Sequence, residues 1–165
     1  MLLYDRRKLL LTTALAPLAG CGFTPLFDSG GAAAGIFGML RFNLIESREG
    51  FLLLDRLESR FGAAGNDAVY DVKIELIIEE KKLTLTAATS LERVTVNGAA
   101  ILTVVDTRAD AEVFADKLRE TTGYTSSSET AVTVSSRRDA RDRLVNALAD
   151  QIVNRLAATA PDWAK

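Results

Sequence analysis

The chain has 165 residues, of which 48% are hydrophobic and 25% charged, a balance typical of one globular domain rather than a disordered or coiled-coil protein. The 20 Lys and Arg residues nearly balance the 22 Asp and Glu residues, and a net charge of -2 argues against a basic nucleic-acid-binding protein. With no histidine and one cysteine, His-based catalysis, an internal disulfide and multi-thiolate metal sites are excluded, so we expect neither an enzyme nor a metal site.

The first twenty residues have the features of an export signal. A basic start, Arg6, Arg7 and Lys8, precedes an apolar run over residues 9–19. A bilayer span needs about 20 apolar residues and a signal-peptide core about 7–15, so the run predicts a signal peptide over residues 1–20. The basic start leaves Sec and twin-arginine export both open.

Cys21, the single cysteine, directly follows this segment. The preceding Leu18-Ala19-Gly20 is similar to the bacterial lipobox, in which the thiol is acylated and the leader is cut just before it. We expect Cys21 to carry a diacylglyceryl lipid and an N-terminal acyl chain such as palmitate, each buried methylene contributing about 0.8 kcal/mol to anchoring. No other cofactor is expected. The alternative is an ordinary small residue near a cleavage site.

Residues 21–38 are predicted to be a lipidated N-terminus and a glycine-rich tether, and residues 39–160 a folded domain. The alternation of residues 39–46, with Leu44 on the apolar face, predicts a half-buried strand. Ser47 is placed to cap a helix that Gly62 ends. The residues at helical spacing in this segment are Phe51, Leu54, Leu57 and Phe61.

The clearest strand pattern lies at residues 69–79. Apolar side chains share one face and charged ones the other, which predicts an antiparallel sheet with one solvent-exposed face. Because Leu83 and Leu85 shift the apolar phase, we expect a β-bulge near residues 80–82. The residues of the apolar face are Tyr70, Val72, Ile74, Leu76 and Ile78.

Residues 91–106 predict another long strand, in which Asn97-Gly98 is compatible with a hairpin turn or a bulge. Residues 112–122 favour a helix by composition, although Gly123 and the Thr/Ser run after it suit a strand. A final helix is predicted to begin at Ser136, which forms a near capping box with Asp139, and to end at Pro161. Its apolar residues repeat every fourth position: Leu144, Leu148, Ile152 and Leu156.

The chain resembles the alphaproteobacterial LPS-assembly lipoproteins (LptE) in two short segments. It also resembles them in the order of its predicted elements (strand, helix, long strands and final helix) after a lipobox cysteine. Residues 21–27, Cys-Gly-Phe-Thr-Pro-Leu-Phe, are similar to the family's Cys-Gly-Phe-x-Pro-Leu-Tyr opening, and residues 98–106 to its small–apolar–acidic strand. The resemblance implies an α+β fold: a two-layer sandwich of a four-stranded, mainly antiparallel sheet with two helices, preceded by a lipoprotein signal peptide. In this fold residues 112–122 form the fourth strand and Gly98 a bulge.

The resemblance also implies a function. It describes a non-catalytic lipoprotein on the periplasmic side of the Gram-negative outer membrane, which plugs and helps assemble the LptD β-barrel and takes part in lipopolysaccharide insertion. A plug for a polar lumen needs a mixed-charge, hydrogen-bonding surface rather than an apolar patch. The alternative function is an accessory periplasmic lipoprotein of another ABC-type lipid or solute transport system.

Family members contact lipid phosphates through basic residues near the second hairpin and after the last strand. Here the tip of that hairpin, residues 87–90, has no charged side chain, so the candidates are the nearest basic residues. Arginine and lysine suit phosphate because their hydrogen bonds to it are charge-assisted. Each of these residues could instead be solvated surface or strand-edge protection. The candidates for lipopolysaccharide contact are Lys81, Lys82, Arg93, Arg137, Arg138 and Arg141.

Overall fold

The computed structural model describes Gly31 and residues 34–83, 92–126 and 130–164. The signal segment over residues 1–20, Cys21 and most of the tether therefore lie outside the described residues, as does Leu85.

The described fold has four strands and two helices. The helices cover one face of a sheet of order β1-β2-β3-β4, in which β1 is parallel to β2 and the other two pairs are antiparallel. This confirms the α+β class and the mainly antiparallel sheet. In chain order, after a short 3-10 turn at Ala34–Ile36, the elements are β1 (Leu40–Phe42), α1 (Arg48–Phe61), β2 (Tyr70–Leu83), β3 (Glu92–Asp106), β4 (Ala111–Ser126) and α2 (Thr130–Trp163).

Strand β2 is longer and more regular than predicted. Its pairing with β3 is unbroken from Tyr70 to Leu83, so the bulge predicted at residues 80–82 is wrong. The Glu80 side chain continues the alternation of β2 and points toward the helices, because arginines of α2 bind its carboxylate. The irregularity lies instead where β3 pairs with β4, between Val104 and Val105.

Gly98 is an ordinary member of β3 and forms neither a hairpin turn nor the bulge that the resemblance implies. It pairs with Ile78 on one side and Glu120 on the other, without a register shift. A Cβ atom at this position would lie 2.9 Å from side-chain methyl groups of both Leu144 and Leu148. The missing side chain therefore lets α2 cross close to the centre of the sheet.

Strand β4 confirms the strand that the resemblance implies for residues 112–122. Its pairing with β3 extends from Ala111 to Ser126. Sheet pairing and contacts with α2 override the helical composition, as is common for strand propensity.

Strand β1 is shorter than predicted and ends at Phe42, leaving Leu44 61% exposed. The Asn43 side chain substitutes for the next strand residue. Its Oδ1 accepts from the Ile74 N–H at 2.7 Å, and its Nδ2 donates to the Ile74 carbonyl at 3.3 Å. The side-chain amide thus provides hydrogen-bond partners for the main chain of one more residue of β2, and the pairing of β1 with β2 ends there.

Helix α1 begins at the predicted cap, since Ser47 Oγ accepts from the Gly50 N–H at 2.9 Å. Gly62 ends the helix at φ +78°, as predicted. The predicted apolar face is only partly correct, because Phe51 is 57% exposed. The buried face consists instead of Gly50, Leu53, Leu57 and Phe61.

Helix α2 begins at Thr130 rather than at Ser136 and continues past Pro161 to Trp163. Pro161 lies in the last turn, where its missing N–H costs one helical hydrogen bond. Trp163 is 7% exposed, and its ring centroid lies 5.3 Å from that of Tyr70. The predicted leucine and isoleucine repeat is confirmed, since all four residues are fully buried: Leu144, Leu148, Ile152 and Leu156.

The two ends of the domain differ in character. At one end Ile36, within the predicted tether, is fully buried in the core cluster that also includes Tyr70 and Trp163. At the other end the first buried residue of α2 is Ala140, so the turns from Thr130 onward lie beyond the core. Along β2 the two ends are about 43 Å apart at about 3.3 Å per residue.

Candidate functional site

The start of α1 and the arginine-rich turns of α2 form a groove of about 270 Å³ at the end of the domain opposite Ile36. Its lining combines four guanidinium groups with one carboxylate and one apolar side chain. We call it the arginine groove. It is lined by Arg48, Glu49, Val134, Arg137, Arg138 and Arg141.

Glu80 binds two of the arginines that line the groove. Its Oε1 accepts from Arg137 Nε and from Arg141 Nε, each at 2.8 Å, and its Oε2 accepts from the Tyr124 hydroxyl at 3.3 Å. Arg141 also donates to Glu49 Oε1 at 3.0 Å. These bonds join β2, β4, α1 and α2, so the groove is fixed by tertiary contacts.

The ion pairs hold the carboxyl groups of the groove ionised. Partial burial alone raises the pKa of Glu80, but hydrogen bonds from Arg137 and Arg141 outweigh it, and its pKa lies below the ordinary value. The pKa of Glu49 is lowered in the same way: burial raises it, and the hydrogen bond from Arg141 is the main opposing cause.

Arg48 forms a second clamp between the helices. Its guanidinium donates two hydrogen bonds to Asp142 of α2, one of them at 2.8 Å. The hydrogen bond from Arg48 lowers the pKa of Asp142 below its ordinary value. Arg48 was not among the candidates, because only the fold brings the start of α1 beside α2.

Arg138 differs from its neighbours in the groove. It is exposed, and within the described residues no carboxylate hydrogen-bonds to it, although Asp142 is a nearby charge. It also lines an adjoining hollow of about 520 Å³, which shares Val134 with the groove. An exposed guanidinium beside an apolar side chain can bind a phosphate group attached to an apolar body.

The structure places the six candidates at three locations. Arg137, Arg138 and Arg141 meet in the arginine groove. Lys82 shares the helix-covered face of the sheet with Glu80, and its ammonium lies 3.7 Å from Glu92. Lys81 and Arg93 lie at alternate positions that place them on the open face of the sheet.

Two observations on the described residues bear on other functions. In these segments no group of three or more His, Cys, Asp or Glu side chains is arranged to hold a metal ion. No helix among the described elements is long and apolar enough to span a membrane.

Comparison with known proteins gives a consistent fold. No family model matches the chain, and no curated protein matches its sequence. Among solved structures, a candidate lipoprotein from Caulobacter crescentus CB15 matches with a TM-score of 0.62 and 18% identity, over 77% of this chain and 93% of that one.

Two further matches have the same character. A minor lipoprotein from Acinetobacter baumannii matches with a TM-score of 0.56 and 13% identity, over 75% of this chain and 95% of that one. Rare lipoprotein B from Shewanella oneidensis matches with a TM-score of 0.50 and 17% identity, over 74% and 95%. At such identities the similarity shows a shared fold.

Proposed function

We propose that this chain is a non-catalytic outer-membrane lipoprotein that plugs and helps assemble the LptD β-barrel and takes part in lipopolysaccharide insertion. It is anchored on the periplasmic side by acyl chains on Cys21. Two independent lines support the proposal: the lipobox-like segment that ends at Cys21, and the similarity of the fold to structures named as lipoproteins over nearly their whole length.

The observation that carries the plug role is the chemistry of the open face of the sheet. This face has charged side chains of both signs on β2 and β4, separated on β3 by small or polar side chains and Ile101. Such a surface matches the polar lumen of an outer-membrane barrel better than it would match lipid. Its residues include Lys73, Glu75, Glu79 and Lys81 on β2, Thr95, Asn97, Ala99 and Thr103 on β3, and Lys117 and Arg119 on β4.

The arginine groove supports the lipopolysaccharide role. Arg138 offers its guanidinium group to a lipid phosphate, and Val134 offers an apolar contact for the body of the lipid. Arg48, which donates two hydrogen bonds to Asp142, would hold α1 against α2. Arg137 and Arg141 would instead hold the groove in shape through Glu80.

A detergent pull-down of the tagged, full-length chain tests the partnership. With the membranes dissolved, we expect one large outer-membrane β-barrel protein to co-purify in equal amount and to be identified by mass spectrometry as LptD. Recovery of an ABC-type transporter instead, or of no membrane partner, would contradict the proposal.

A capture assay with immobilised lipopolysaccharide tests the groove. Arg138→Glu reverses an exposed charge that no carboxylate hydrogen-bonds, and we expect it to reduce capture at least about tenfold. Lys73→Glu is the matched control, because it makes the same charge change at an exposed residue of the open face that is not among the candidates. Equal capture by the two variants would remove the groove from the lipid site.

A further inference from the structure

Strand β2 loses its neighbour after Ile74. Asn43 satisfies both main-chain groups of Ile74, and β1 extends no further. Because main-chain groups alternate in direction along a strand, every second residue after Ile74 also directs its N–H and C=O out of the sheet. No described residue hydrogen-bonds to these groups. The residues concerned are Leu76, Ile78, Glu80 and Lys82.

Between Leu76 and Ile78 this free edge lacks the usual protection against strand addition, and charged residues of β2, including Lys81 and Lys82, come after it. It contains the consecutive apolar residues Leu76, Ile77 and Ile78, its register is unbroken, and it has no proline. The free edge of β4 is different: a register shift displaces it near Val113, and charged residues follow. A new strand therefore finds on β2 a regular template that begins with an apolar run, and on β4 an irregular one.

Apolar side chains of α1 lie on the side of the helix turned away from α2, which itself packs on β3 and β4. Arg56 of α1 pairs with Asp150 of α2, and at 100° per residue Phe51 and Leu54 lie on the side of α1 turned away from that pair. Phe51 is 57% exposed and Leu54 is half-buried. Leu44, which directly follows Asn43, is also exposed at the point where the edge becomes free.

The charges beside the edge indicate what would bind there. Glu75 and Glu79 of β2 lie on either side of Ile77 on the open face, with Lys73 and Lys81 beyond them, and neither carboxylate has a cationic partner among the described residues. An occupant with basic residues opposite these carboxylates would form cross-strand ion pairs.

We propose that an extended segment of the β-barrel partner pairs with β2 from Leu76 to Lys82 and adds a fifth strand to the sheet. The segment is apolar on its helix side, against Phe51 and Leu54, and basic opposite Glu75 and Glu79. This inference rests on the proposed function.

Proline at Ile78 tests the edge directly. The Ile78 N–H points away from β3, so Ile78→Pro removes an outward donor and leaves the β2–β3 ladder intact. The matched control is Thr121→Pro, because the Thr121 N–H points out of the other free edge, that of β4. We expect Ile78→Pro to reduce the barrel recovered in a pull-down of the full-length chain at least about tenfold and Thr121→Pro to leave it within about twofold.

A photo-crosslinking residue at position 77 gives a second measurement that does not depend on how proline is tolerated. We expect crosslinks to a single extended segment of the barrel. Crosslinks only between copies of this chain, or full barrel recovery by a folded Ile78→Pro variant, would overturn the edge proposal and leave the proposed function standing. A wild-type chain that recovers no barrel would overturn both.

Discussion

Arg141 and Glu80 lie 61 residues apart in the chain and meet where α2 crosses β2, with Arg141 Nε 2.8 Å from Glu80 Oε1. Glu80 occupies an inward position of the strand, where the preceding even-numbered residues of β2 are apolar. The layer that closes this end of the domain is therefore ionic. Glu49 and Arg137 complete it, so the two helices and β2 are joined by charge-assisted hydrogen bonds.

Replacing Arg141 with alanine should destabilise the fold by about 1–3 kcal/mol, because it leaves the partly buried carboxylates of Glu80 and Glu49 without their shared partner. The measurement is urea unfolding of the purified domain. Arg143→Ala is the control, since Arg143 forms an exposed pair with Asp139 one helical turn away. We expect the control to change stability by less than about 0.5 kcal/mol; equal losses in both variants would contradict a special role for Arg141.

Acid should weaken the same network. The pKa of Glu80 lies below the ordinary value of 4.5, and that of Asp142 below 3.8. A carboxyl group whose pKa is lower in the folded than in the unfolded protein stabilises the fold at pH values above its unfolded pKa. This contribution is lost as the pH falls through the pKa of the folded protein. We therefore expect the free energy of unfolding to fall between about pH 5 and about pH 2, and Glu80→Gln to flatten this dependence. An unchanged slope in that variant would contradict the assignment.

Gly98 should tolerate no side chain of ordinary size. Gly98→Val places methyl groups where Leu144 and Leu148 already lie, and overpacking of this kind costs about 1–3 kcal/mol. Ala99→Val, one residue along on the open face, is the control and should cost little. Thermal unfolding of both variants measures the difference. A Gly98→Val domain as stable as wild type would show that α2 can move away without cost.

Trp163 should contribute strongly to stability. Its ring packs edge-on against Tyr70 at 5.3 Å and faces Phe114 at 6.2 Å. We expect Trp163→Ala to cost about 3–5 kcal/mol and Trp163→Phe clearly less, because phenylalanine keeps part of the aromatic contact. Denaturant unfolding measures both. Equal stability of the alanine variant and wild type would mean that the last turn is dispensable.

The sequence predicted the elements whose periodicity is local. The alternation of β2, the serine cap at Ser47 and the four-residue repeat that begins at Leu144 are all present in the fold. Each depends only on near neighbours in the chain, which is why pattern alone was sufficient.

The errors arose where distant residues decide the outcome. A charged residue at position 80 appeared to interrupt the apolar face of β2 and suggested a bulge, because its arginine partners lie 57 and 61 residues further along the chain. Gly98 looked like a turn or a bulge because the helix that needs its missing side chain comes later in the chain. The arginine groove was predicted in part: three of its residues were candidates, whereas Arg48 reaches Asp142 only through the packing of α1 against α2.

The most direct test of the whole account is the covalent state of Cys21 in the membrane fraction of a Gram-negative host that expresses the full chain. We predict that mass spectrometry will find Cys21 as the first residue, carrying a diacylglyceryl group and an amide-linked acyl chain, and that Cys21→Ala will release the protein from the membrane. A protein that begins at another residue, or that has an unmodified thiol and leaves the membrane on cell breakage, would contradict the account.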